Sequence, residues 1–373
     1  MNVQDIENEI RQLQIQVIEQ QDLQQKQILI RQGIVHRLSA MFVRSVKESL
    51  FAQIEYASQF GVGELSFDMV QQLKLNSGIR KLYALRVPIC EVLTWFVQDD
   101  PTASGELIRG GDFLPAFQFM LVSLTVQEMN NAYLMPIAEV LNNCTKEEAQ
   151  VIYIEGIIKS ISRYLLSWEV LMQQQKNIHK KKSDQCATMG NNEYKALHQQ
   201  EEQCIRSILS IIERVLWFKR QELIVGQQHP YTLNFQQDGT IMKLKDIYSR
   251  ASNEMKMGLK GITDQDIEKY SAIIFGYICK AQSLKNQGLN GKDIVKSLQK
   301  CFASKDTLYF CSCALCALAD IAEHPSNHDW ITNIYMITDV WICVKEDVQL
   351  GIISEQALNS AGQVQIKAKR LLG

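Results

Sequence analysis

Proline and glycine are scarce in this chain, at six and nineteen of 373 residues. Sandwich and doubly wound folds need turn punctuation more often than that, whereas long helices need little of it. An excess of one charge is also missing. The formal net charge is −2. Through Cys186 there are 18 basic and 21 acidic residues, and beyond it 21 and 20. Neither part is a polycation built to neutralise a polyanion, although a local patch is compatible with these totals. No run of about eighteen uncharged apolar residues occurs, so no membrane span or membrane insertion is expected.

Signatures of catalysis are absent too. There is no G-x-S-x-G elbow, no Walker or dinucleotide-binding glycine pattern after a credible strand, and no H-E-x-x-H. Glu128, Glu139, Glu147, Glu148, Glu155 and Glu169 fall in helical patterns, but none belongs to the Glu-x-x-His motif of a di-metal bundle. The expectation is a protein that is not an enzyme and holds no cofactor. The N-terminus is polar and has no apolar block after it, so reduced thiols in the cytoplasm or nucleus are expected.

What the chain does have is glutamine, cysteine and helical periodicity. Of 38 glutamines, ten lie between Gln4 and Gln32; a good helix former with an uncharged polar tip makes a neutral helix surface. Val3, Ile6, Ile10, Leu13 and Val17 recur at steps of three and four. That short heptad seam predicts either a pairing helix within residues 1–30 or a first helix packed on its own domain. Ile34, Leu38, Phe42, Val46 and Leu50 continue the pattern. A further helix starts near Ser77, where Pro88 should kink or divide it. Thr145 with Glu148 forms a capping-box sequence ahead of a broad apolar face.

The stretch 176–192 is polar and includes Lys180, Lys181 and Lys182. It suggests an N-terminal helical lobe over 1–178, a loop or linker over 179–191 and a C-terminal lobe over 192–373. One passage reads as β-structure. Residues 231–235 and 240–244 alternate apolar and polar around Asp238-Gly239, a hairpin signature. No repeat period between 34 and 47 residues emerges. The fold class is therefore all-α, as a two-lobed helical assembly or a degenerate helical repeat with one short hairpin.

Ten cysteines include the group Cys311, Cys313 and Cys316, with Cys301 before it and His324 and His328 after it. Cys313 and Cys316 have zinc-knuckle spacing, but the group sits in an apolar run without the polar glycine-rich knuckle that lets thiolates converge. Buried core cysteines are the expected reading. Basic clusters that could meet phosphate are Arg80, Lys81 and Arg86, then Lys180–Lys182, then Lys367, Lys369 and Arg370. Two functions follow. The first is a non-enzymatic scaffold or assembly protein acting through protein–protein contacts or self-association. The second is a self-assembling protein that holds single-stranded nucleic acid between two helical lobes. That second plan is the one viral nucleoproteins use, an analogy of fold and not of motif.

Overall fold

Every regular element among the described residues is helical. The computed structural model describes residues 3–15, 22–59, 77–124, 128–145, 147–149, 156–165, 190–256, 262–303 and 308–331. The chain divides into two compact units, Met1–Ile211 and Ile212–Gly373. The polar residues 179–189 lie outside the described residues, and 190–191 begin a long helix. No described helix is long and apolar enough to cross a membrane.

The first unit contains α1 (Val3–Leu13), α2 (Leu23–Arg31), α3 (Ile34–Gln59), α4 (Ser77–Val97), α5 (Pro101–Arg109), α6 (Phe113–Ser123) and α7 (Asn131–Asn143), followed by the opening of α8 (Gly190–Arg220). Its starts are set by short polar side chains. Asp22, Asp100 and Asn130 each accept a hydrogen bond from a first-turn amide, and Pro101 occupies a first helical position where no amide is needed. The expected capping box is present: Glu148 accepts from the Thr145 amide at 2.9 Å and Thr145 Oγ1 accepts from the Glu148 amide at 3.4 Å.

The centre of this unit is α4, which packs on α3, α7 and α1. It runs through Pro88 as one element. Pro88 cannot donate to the Ala84 carbonyl, so tertiary packing holds a turn that local hydrogen bonding weakens. Phe42 of α3 meets Phe113 and Phe117 of α6 at centroid distances of 5.1 and 6.4 Å, filling the layer behind.

The second unit takes up the end of α8 and continues with α9 (Tyr231–Gln237), α10 (Thr240–Lys256), α11 (Ile262–Ile278), α12 (Gly291–Ala303), α13 (Leu308–Ile321) and the short α14 (His328–Ile331). Here α11 is central and packs on α10, α12 and α13. The expected hairpin at 231–244 is not formed; α9 and α10 occupy that stretch. Tyr231, Thr232 and Phe235 face the core while Leu233 is exposed, which is helical spacing. Ile241, Leu244, Ile247, Tyr248 and Ala251 then continue a helical stripe well past residue 244. Asp238-Gly239 is a helix–helix turn: Gly239 takes φ +83° and Asp238 Oδ1 accepts from the Thr240 amide at 2.9 Å. A five-residue window satisfies both periods, and only the longer run separates them.

Candidate functional site

The sequence-derived pairing residues lead to the site. Ile6, Ile10 and Leu13 are buried, and α1 packs on α4 of the same unit. Val3 opens α1 and Val17 lies outside the described residues. With that stripe turned inward, the other side of α1 forms one wall of an open groove of about 720 Å³. Arg11 of α1 lines it, with Gln14 and Ile15 just past the end of that helix. The last turns of α4 supply Glu91, Thr94 and Trp95, Gln98 follows directly after its end, and α7 closes the floor with Ala132 and Met135.

Trp95 is the anchor of this surface. Its indole is half-buried and packs edge-on against Phe96 at 5.1 Å between centroids. The Lys26 ammonium lies 4.8 Å from the indole centroid and donates to the Gln98 carbonyl at 2.7 Å. Burial pulls the Lys26 pKa below its ordinary range, against the opposing pull of Asp100, Asp99 and Glu139. Beside it, Gln27 donates to Asp100 at 2.7 Å and fixes α2 at the end of α4. The aromatic face is therefore held in place before anything binds.

The rim is polar and carries both signs. Gln14 donates to Glu91 across the groove at 3.3 Å, while Arg11 pairs loosely with Glu7 at 3.6 Å along α1. Ile15 stands at the edge with 48% of its surface exposed. On the other side of Arg11 and Gln14 a second concavity of about 300 Å³ continues along α1, reaching Lys81, Ala84 and Pro88.

Of the predicted nucleic-acid contacts, Arg80, Lys81 and Arg86 lie among the described residues. Arg80 and Lys81 are exposed on the first half of α4. Arg86 is turned inward at 2% exposure; its Nη2 donates to the Ser45 carbonyl at 3.1 Å and to the Ser49 hydroxyl, and its guanidinium stacks 3.9 Å from the Tyr83 ring. Lys180, Lys181, Lys182, Lys367, Lys369 and Arg370 lie outside the described residues.

Of the cysteine group, Cys301, Cys313 and Cys316 are buried and Cys311 is half-buried. Two of the thiols donate to carbonyls: Cys311 to Cys301 at 3.0 Å and Cys301 to Ser297 at 3.5 Å. Burial pushes Cys301 up to about 12 and Cys313 well above its ordinary value. His324 contacts Ser326 and His328 contacts the Ala322 carbonyl. Among the described residues no three His, Cys, Asp or Glu side chains converge as a metal site.

Sequence reasoning passed over Arg11, Gln14, Ile15 and Met135. One signal was available: Ile15 is an apolar residue off the Val3–Val17 seam, so a helix buried on that seam leaves it outside. Comparison with known proteins returns no match, either to a family model or to a curated protein.

Proposed function

We propose that this chain is a non-enzymatic helical assembly protein that works through protein–protein contacts, and that the α1–α4–α7 groove is a contact surface. One observation carries the reading: a half-buried tryptophan, oriented by a buried lysine, on the floor of an apolar groove with a polar rim. Aromatic anchors in apolar depressions ringed by polar groups are where protein interfaces concentrate their binding energy. The polar groups of the groove are amides, a hydroxyl and two opposite charges spread around an open rim. A small-molecule site instead gathers a few polar groups toward one bound atom.

The test is purification of the full-length protein at moderate salt, followed by size-exclusion chromatography with light scattering and the 260/280 nm absorbance ratio. The expected result is protein free of nucleic acid. Large salt-sensitive particles with excess 260 nm absorbance would replace this reading with the single-strand-holding one.

A further inference from the structure

Resting on that reading, we infer that the groove's partner is a second copy of this chain, docked through the same groove about a twofold axis. A twofold contact uses one patch twice, so the patch must be complementary to itself. This groove meets that condition in three independent ways.

Its charges are self-complementary. Arg11 on α1 and Glu91 on α4 line the same groove from two walls. A twofold rotation sets the Arg11 of each copy against the Glu91 of the other. Existing partners do not prevent this: Arg11 meets Glu7 only at 3.6 Å on an exposed helix face, and Glu91 accepts a neutral Gln14 amide. Its hydrogen-bonding groups are self-complementary as well. Gln14 and Gln98 each carry a donor and an acceptor, so each can answer whichever polar group the second copy presents to it. Its shape supplies both halves of a packing contact. Ile15 projects from the rim, and Trp95 and Met135 form the floor that the other copy's Ile15 would enter. The concavity past Gln14 extends the patch along α1 toward Lys81, which lengthens the surface available to the second copy. A partner of unrelated sequence would require none of these matches within one patch.

The experiment uses the full chain. Light scattering from about 1 to 100 µM should show a concentration-dependent rise from one 42.7 kDa chain to two. Ile15→Asp should hold the chain at monomer mass with an unchanged far-ultraviolet spectrum; the side chain is exposed, so folding should be unaffected. Arg11→Glu should weaken pairing by about tenfold, and the double variant Arg11→Glu/Glu91→Arg should restore it, because the swap re-forms the same pair across the axis. A photo-cross-linking residue in place of Gln98 should join two copies through residues 11–15 or 91–98. Cross-links to a different polypeptide would overturn self-pairing while leaving the groove as a protein contact. Monomer mass throughout, with no cross-linked polypeptide, would overturn both. Pairing that the charge swap does not restore would also overturn the twofold geometry.

Discussion

Arg86 and His229 show how much a single side chain depends on what surrounds it. In the sequence Arg86 stands beside Arg80 and Lys81 as an apparent surface cation, yet it is buried against Tyr83, Ser45 and Ser49, and its Nε has no hydrogen-bond partner among the described residues. Its spacing did carry the signal: Arg86 lies four residues after Leu82 and three before Ile89, on the buried stripe of α4, whereas Lys81 falls off that stripe. His229 is buried with both ring nitrogens in use: Nδ1 accepts from the Tyr231 amide at 3.3 Å and Nε2 contacts the Leu216 carbonyl at 3.2 Å. That pairing requires the neutral ring. Burial lowers its pKa from the usual 6.5 to about 4, with Lys219, Arg220 and Lys280 adding to the effect and the Leu216 contact opposing it.

The unfolded chain therefore takes up a proton at His229 before the folded one does. The stability this residue contributes is complete above pH 6.5 and is lost as pH falls toward 4, amounting to about 2 kcal/mol by pH 5. Urea midpoints measured at pH 7 and 5 should fall accordingly, and His229→Gln should flatten that change. Glu213 acts with the opposite sign. Burial raises its carboxyl pKa, so its contribution is present at low pH and declines as pH rises through the folded-state value. Comparison with the His229 variant separates the two. A third residue, Ala281, follows α11 at φ +55°, a left-handed conformation that costs an L-residue about 1 kcal/mol. Ala281→Gly should raise the thermal midpoint.

Between elements, closeness of approach is the deciding quantity. Gly276 of α11 lies where an added Cβ would sit 2.3 Å from the Ala317 Cβ on α13 and 2.9 Å from its Cα. These helices meet almost backbone to backbone. Gly276→Ala should destabilise by about 1–3 kcal/mol, read as a drop in denaturant midpoint, and adding Ala317→Gly should recover part of the loss. The same closeness brings the cysteine-bearing face of α13 into the core, where its thiols serve as small apolar groups.

At α13's end, Asp320 receives Arg220 Nε at 2.5 Å and Nη2 at 3.1 Å, with Lys280 at 3.4 Å; Lys280 also pairs with Glu323. Burial raises the Asp320 pKa while Arg220 and Lys280 pull it back. Asp320→Asn would leave the buried Lys280 and the half-buried Arg220 with one carboxylate between them. A loss of about 3 kcal/mol is expected in the unfolding free energy of the second unit. The start at Thr145 with Glu148 was legible as a capping box, whereas the helix starts capped by Asp22 and Asp100 were not read from the sequence. Boundaries were not legible at 231–244, where a short alternating window fits either period until the residues after it are counted.

For the whole molecule, the proposed self-pairing would link association to folding. If two copies dock through the Trp95 groove, the unfolding midpoint should rise with protein concentration, and Ile15→Asp should remove that dependence. Helicity, the absence of a span-length apolar helix among the described residues and the apolar faces of α1 and α3 were all determined by the sequence, because scarce breakers and 3.6-residue periodicity act over neighbouring residues. The groove was decided only by tertiary structure. Burial of Ile6, Ile10 and Leu13 on α4 turns Arg11, Gln14 and Ile15 outward. Lys26, reaching from α2, then fixes the indole of Trp95. These residues meet across helices far apart in the chain, and local periodicity carries no information about which helix an apolar stripe will choose as its neighbour.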